Sequence, residues 1–337
     1  MNTQLKNVLI IGGAGYLGSH LNKEFYSNGI NTVVLDNLEN GRRDFVKWGE
    51  FYEGDINDDY LLRKIFSNHK IDLVINCAVN IYNEKERVMK KLSEAELLIN
   101  IMSLYGVKSI VLPSSHEVYG MQQYFPIDEN HPKVPISMQG FLDLQIEEIV
   151  KLSCEHNGIN YCFIRFQNLA GADSDCEIGE SHLSDGLIPS IFGHLNRMHS
   201  SVKFKGSNFD TPDGSLIRDY LHVKDAADAF VSASNYIHSM KHSEIFNISN
   251  GIGFSEYEIV QIAEKIFARN FTLNYKETSG KYAPSLYIDS NKAFKLLHWT
   301  PKFRTIEEII ISAFKYQITR GGHLLILSGQ HNYNPNP

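Results

Sequence analysis

Val8-Leu9-Ile10-Ile11-Gly12-Gly13-Ala14-Gly15-Tyr16-Leu17-Gly18 is the stretch on which the fold turns. Four apolar residues run into glycines at 12, 15 and 18, and a helical pattern follows. A buried strand that turns sharply and starts a helix exposes backbone N–H groups at the positive end of that helix, where a pyrophosphate binds. Glycine allows the close approach because it has no Cβ. Thr32–Leu35 reads as a second strand, and Asp36 stands at its end, 18 positions after Gly18. A carboxylate there accepts hydrogen bonds from an adenosine ribose and repels a 2′-phosphate, so NAD is expected rather than NADP. Arg42 and Arg43 argue the other way unless they form a solvated loop. Asp55, after a third strand, reads either as an adenine contact or as a helix N-cap. The expected cofactor set is Gly12, Gly15, Tyr16, Leu17, Gly18, Asp36, Asn37, Asp55 and Ile56.

The rest of the first 120 residues repeats this alternation. Asn7–Ile11, Asp72–Asn76 and Ser109–Leu112 read as further buried strands, with helical spacing over Gly18–Asn28, Tyr60–Asn68 and Ser93–Tyr105. Ile146–Ser153 continues as a helix and Tyr161–Phe166 as a strand. This order predicts an α/β fold: a Rossmann-type doubly wound parallel sheet. From Asp173 the texture changes to loops, over Asp173–Asp185 and Phe204–Leu216, with helices near Ile188–Asn196, Asp225–Ile237, Glu256–Ala268 and Ile306–Gln317. The expected division is a cofactor domain over 1–172, to which later segments return, a substrate domain over 173–320, and a loosely attached tail over 321–337.

The whole chain has 337 residues, 43% hydrophobic and 21% charged, with a net charge of −7. These values suit about two soluble lobes and argue against disorder and against a basic nucleic-acid surface. No apolar run is long enough to span a bilayer, and no secretory leader pattern precedes the first strand. Cys77, Cys154, Cys162 and Cys176 form no Cys-x-x-Cys pair. Neither structural zinc nor a disulfide framework is expected, no metal site is assigned, and a cytoplasmic location is the default.

Three further motifs carry a resemblance. They are Ser114-Ser-His-Glu-Val-Tyr-Gly120, Arg165-Phe-Gln-Asn-Leu-Ala-Gly171 and Thr211-Pro-Asp-Gly-Ser-Leu-Ile-Arg-Asp-Tyr-Leu-His-Val223. With the glycine loop they make residues 5 to 320 similar to the extended short-chain dehydrogenase/reductase family, and within it to the UDP-galactose 4-epimerases. The resemblance implies a nucleotide-sugar substrate, UDP- or GDP-linked, and oxidation of a sugar hydroxyl at C4 in an epimerase, dehydratase or dehydrogenase. It implies that Ser115 holds that hydroxyl and that Asn168 and Arg218 meet the nucleotide, with Leu187 also at the substrate; the Arg and Asp that the family carries near Thr278–Tyr282 are absent, and Lys281 is the candidate cation there. For Arg218 the alternative is an ion pair with Asp219 or Asp225, and for Ser115 a strand-end cap. The family's homodimer is implied through Ser93–Tyr105 and Gly140–Ser153, with Leu97, Leu98, Ile101, Ile146, Ile149 and Val150 as apolar faces or simply as core. Family usage points to polysaccharide biosynthesis.

The resemblance breaks where the chemistry sits. The family's Tyr-x-x-x-Lys pair follows a Pro-x-Ser-Pro-Tyr-Gly-x-Ser-Lys pattern. Here the segment reads Pro135-Ile-Ser-Met-Gln139-Gly-Phe-Leu-Asp143, which puts Gln139 at the tyrosine position and Asp143 at the lysine position. An amide is no base, and losing a positioned base costs about 10²–10⁴ in rate. At about 6 Å and an effective dielectric near 20, one charge contributes roughly 3 kcal/mol, so Lys to Asp opposes cofactor reduction. Tyr220-Leu-His-Val-Lys224 has the right spacing but belongs to the last motif and reads as coincidence. His116 is the candidate replacement base, with solvent exposure as its alternative; Glu117 and Tyr119 come behind it, Tyr119 as a structural residue. Two readings remain open: an enzyme with a non-standard proton acceptor, or a catalytically weak NAD- and nucleotide-sugar-binding protein in a regulatory or scaffolding role.

Overall fold

The computed structural model describes residues 5–78, 84–181, 186–196, 198–205, 208–275 and 282–321. Its first half runs β1 (Asn7–Ile11), α1 (Tyr16–Ser27), β2 (Asn31–Asp36), β3 (Glu50–Glu53), α2 (Asp59–Asn68), β4 (Leu73–Asn76), α3 (Glu84–Leu104), β5 (Ser109–Ser115), α4 (Met138–Asn157) and β6 (Asn160–Phe166). The second half runs β7 (Asn168–Ala170), α5 (Leu187–Leu195), β8 (Val202–Phe204), β9 (Ile217–His222), α6 (Val223–Met240), β10 (Glu244–Ile248), β11 (Gly253–Ser255), α7 (Glu256–Phe267), β12 (Leu273–Tyr275), β13 (Ser285–Leu286), α8 (Asn291–Leu297) and α9 (Ile306–Gly321).

Seven strands form one parallel sheet in the order β10-β6-β5-β4-β1-β2-β3. Its strands read as unbroken apolar runs because both faces are covered. Val8 and Ile10 point to the side of α1 and α6, where they pack with Leu21, Phe25 and Phe230. Leu9 and Ile11 point to the side of α2, α3 and α4, with Leu62, Leu98 and Val150. The strand order reverses between β1 and β4, the switch point at which such sheets bind ligands. β10 was not expected from the sequence, and it comes from beyond residue 240 to pair with β6.

β9 carries the second half. It pairs with β7, β11 and β13, and α5, α7 and α9 enclose a separate apolar cluster with Ile188, Phe192, Ile259 and Ile309. Leu98, Ile101 and Val150 belong to the buried core of the first sheet, with Leu97 and Ile146 packed against it, so most of the expected dimer face is core. Among the described residues, the exposed large apolar side chains of α3 and α4 are Leu104, Met138, Phe141 and Leu152. α4 begins at Met138, ahead of the spacing read over Ile146–Ser153 and two residues before Gly140, because Ser137 caps it, its Oγ accepting from Gly140 N at 3.0 Å.

One buried carboxyl in β9 gives the fold a pH signature. Asp219 accepts bonds from Ser249 Oγ and Gly251 N, while its Oδ1 has no hydrogen-bond partner among the described residues. Burial lifts its pKa to about 7, against the opposing pull of those bonds. The folded chain therefore holds the proton more tightly than the unfolded one. The associated stability is present below about pH 4 and is lost as the pH climbs to about 7, by up to about 4 kcal/mol at 1.4 kcal/mol per unit. Urea unfolding of the wild-type chain and of Asp219→Asn at several pH values isolates this term: the difference in unfolding free energy should shift in favour of the variant as pH rises from 4 to 8. A flat difference would show that the carboxyl titrates normally.

Candidate active site

The glycine loop closes as steric economy requires. Gly12 adopts φ +77°, and a Cβ built on Gly18 would lie 2.1 Å from Gly12 O. No side chain caps the start of α1, so its first N–H groups are left for an anion. Asp36 Oδ2 accepts from Ala14 N at 2.9 Å and Oδ1 from Leu38 N at 2.8 Å, fastening the end of β2 to the loop. Burial raises the pKa of Asp36, partly countered by those two N–H groups.

These residues border a cavity of about 430 Å³ at the carboxyl ends of the strands. Gly12, Gly15, Tyr16, Leu17, Gly18, Asp36, Asn37, Asp55 and Ile56 all line it. Asp55 is not the helix cap that was the alternative reading; Asp58 is, accepting from Leu61 N at 3.0 Å. Asp55 instead accepts from Asn57 N and from Asn37 Nδ2 at 3.1 Å. Burial alone would raise its pKa, but these donors outweigh it and lower it. Arg42 and Arg43 are exposed and spend their guanidinium groups on Asp44 and Val46 O. Neither is among the lining residues, which leaves the ribose end of the cavity acidic. The lining also includes Cys77, Pro113, Phe166, Leu169 and Glu180, which the sequence reading did not select. The first three sit at or beside the ends of β4, β5 and β6, so the strand order itself was their only signal. Glu180 arrives on a loop anchored by Lys23 to Asp173 and by Gln317 Nε2 to Glu180 O.

Ser115 ends β5, and its Oγ accepts from Glu117 N at 3.1 Å, the cap reading. The chain then leaves the strand in a 3-10 turn over His116–Tyr119. Strand alternation therefore stops at Ser115, and His116 is buried where exposure was the alternative. Its Nδ1 lies 3.3 Å from Phe166 O. A carbonyl only accepts, so this contact assigns the proton to Nδ1 and leaves the lone pair on Nε2. Burial, then the Arg218 charge, pushes the ring pKa down to about 3, so it is neutral at pH 7. His116 lines a separate, smaller hollow with Glu117, Ser137, Arg218, Tyr282 and Leu286.

Arg218 makes neither of the ion pairs weighed for it. Its guanidinium donates to Ile217 O and Ala283 O at 2.7 Å each, and to Pro284 O at 3.3 Å. Burial lowers its pKa. Asn168 lies on β7 with Nδ2 3.4 Å from Asp219 O. Leu187 starts α5, with its side chain inside the second apolar cluster. Lys281 lies outside the described residues. Gln139 and Asp143 occupy successive turns of α4 and bond to one another, Nε2 to Oδ1 at 2.8 Å. Tyr220 is buried in β9 and Lys224 is on α6 beside Glu24, so that pair shares no helix face. Tyr119 is structural: its hydroxyl donates to Asn247 Oδ1 and accepts from Arg165.

Comparison with known proteins adds to this geometry. Residues 8–249 match the family model described as NAD dependent epimerase/dehydratase family. The UDP-glucose 4-epimerase of Lactobacillus helveticus is 34% identical over 317 residues, covering 92% of this chain and 96% of that protein. That of Halalkalibacterium halodurans is 33% identical over 316 residues, with 92% and 95% covered. Among solved structures, the Brucella ovis UDP-glucose 4-epimerase in complex with NAD superposes with a TM-score of 0.86 at 29% identity, covering 92% of this chain and 98% of that one. The Bifidobacterium longum enzyme with NAD+ and UDP gives 0.87 at 26%, with 94% and 99% covered.

The tightest point of the cavity is testable. Gly18→Ala puts a methyl group into Gly12 O, so the loop must open. Dinucleotide affinity measured by titration calorimetry should fall by about a hundredfold, roughly 3 kcal/mol, with far-UV circular dichroism little changed. Wild-type affinity in the variant would show that the loop does not form the binding cradle.

Proposed function

The chain belongs to the NAD-dependent epimerase/dehydratase family, and on that premise we propose that it binds NAD in the large cavity and a UDP-linked sugar beside it, and that it oxidises the sugar at C4 reversibly, as an epimerase. The observation that carries this reading is the single cavity lined by all nine residues of the expected cofactor set. The backbone N–H groups of the loop from Gly12 to Gly18 suit a pyrophosphate, Asp36 a ribose diol, and Asn37, Asp55 and Ile56 an adenine. NAD, when bound, supplies the hydride-accepting nicotinamide. Relatives crystallised with NAD and with UDP support the same ligands here.

Ser115 retains its own proton after accepting from Glu117 N, so it can donate to the sugar oxygen. Arg218, held by three carbonyls, points a fixed cation into the substrate-side hollow and suits a diphosphate. Asn168 is assigned to the nucleotide. Gln139 cannot accept the sugar proton, and Asp143 is engaged with it. His116 is assigned that role: its neutral ring keeps a lone pair on Nε2 and lines the smaller hollow beside Arg218. The low pKa of that ring makes it a weak base, and turnover is correspondingly slow. The Gln139–Asp143 bond also favours a second reading, a protein that binds NAD and a sugar nucleotide without turning it over. Pairing of two copies is assigned to Leu104, Phe141 and Leu152 of α3 and α4.

The assay uses protein supplied with NAD and offered UDP-glucose, UDP-galactose and GDP-sugars, followed by proton NMR and by absorbance of the reduced cofactor. Slow interconversion of the two UDP-sugars is expected. His116→Ala should remove it, and Gln139→Tyr with Asp143→Lys should raise kcat at least about tenfold. Between pH 8 and 5, kcat/KM should stay level, because a ring titrating near 3 keeps its lone pair throughout. A decline centred near 6.5 would mean an ordinary, solvated histidine. UDP-sugar binding with neither product nor reduced cofactor would establish the second reading.

A further inference from the structure

We propose that the buried pair Arg165–Glu147, with Ser114, Tyr119 and Asn247, is a positioning device that holds His116 in its Nδ1–H tautomer and sets Ser115 against α4. Its catalytic consequence rests on the proposed role of His116; its geometric content does not. Arg165 is 0% exposed and Glu147 3%. Arg165 Nε reaches Glu147 Oε1 at 2.8 Å and Nη2 reaches Oε2 at 2.5 Å, a planar two-point contact. Its Nη1 donates to Tyr119 Oη at 2.8 Å, and that hydroxyl passes its proton on to Asn247 Oδ1 at 2.6 Å. Ser114 Oγ donates to Glu147 Oε1 at 2.5 Å. Asn247 is fixed in turn, its N donating to Glu129 Oε1 at 2.8 Å and its Nδ2 to Ile127 O at 3.3 Å.

Stability is a poor reason for this arrangement. Desolvating two charges offsets most of their attraction, and apolar residues of like volume commonly do as well or better. Direction is what they do not supply. A guanidinium fork on a carboxylate fixes both spacing and orientation, and here it sets β6 against α4. Four of the five members stand beside or in line with a site residue. Ser114 precedes Ser115, Arg165 precedes the Phe166 whose carbonyl holds His116 Nδ1, and Tyr119 closes the turn that carries His116. Glu147 continues the helix face of Gln139 and Asp143 at intervals of four.

The test replaces the pair by apolar residues in the full-length chain, Arg165→Met with Glu147→Leu, and reads the imidazole nitrogens of His116 by ¹⁵N NMR. His116→Gln identifies its signal among the 14 histidines. The wild type should show a protonated Nδ1 and a bare Nε2. The double variant should remain folded and bind NAD within about twofold, since no network member lines the dinucleotide cavity. Its His116 signals should move to a tautomer mixture, and kcat should fall about tenfold with KM within about twofold. Unchanged His116 signals in the folded variant, or a wild-type ring without the Nδ1 proton, would overturn the proposal. Should the double variant not fold, Tyr119→Phe removes one hydroxyl only, and the same two outcomes decide. A tautomer change in a protein that turns over no UDP-sugar would sustain the positioning role while removing His116 as proton acceptor.

Discussion

The approach of Gly12 O into the space that a Cβ on Gly18 would fill is the constraint on which the site is built. It lets β1 end, turn and pass its chain into α1 within a few residues. β1 is also the strand at which the strand order reverses, with β2 on one side and β4 on the other. A single tight turn therefore fixes both where the cavity opens and which way the positive end of α1 faces. Asp36 reinforces it from the neighbouring strand by binding the loop's own amide at Ala14.

Much of this was legible in the sequence because the relevant signals are local. Apolar runs ending in glycine, and an acid at a strand end, mean the same thing in most contexts. The illegible parts depend on tertiary context. Glu244–Ile248 looks like any short apolar segment until β6 offers it an unpaired edge. His116 could be placed only by knowing that β5 stops at Ser115 and bends into a 3-10 turn. The three carbonyl partners of Arg218 come from its own residue's neighbour and from a segment 65 residues away, a grouping no spacing rule reveals. Leu187 could be read as a substrate contact from the resemblance, but its side chain belongs to an apolar cluster closed by α7 and α9.

The cofactor loop and the helix α4 are constrained in different ways. The cofactor half depends on the absence of atoms, which any added side chain destroys, so few sequences satisfy it. The catalytic half depends on particular protons and charges, and there α4 carries an amide and an acid bonded to each other. Around that pair the scaffold is closely tied. Ser115 keeps its cap, α4 keeps Ser137 at its start, and a buried guanidinium still ties the helix to the sheet.

The return of β10 has a consequence for how the chain becomes a protein. A ribosome that has released only the first 170 residues or so has delivered six of the seven strands, but β6 is then an open edge presenting unpaired backbone groups. Only after residue 248 emerges can that edge be closed and α6 cover the apolar face beside α1. The first lobe is therefore not a separable fragment: cut at its apparent boundary, it would expose a sticky strand and half an uncovered sheet. Co-translational folding must wait, or be chaperoned, until most of the second lobe has been made.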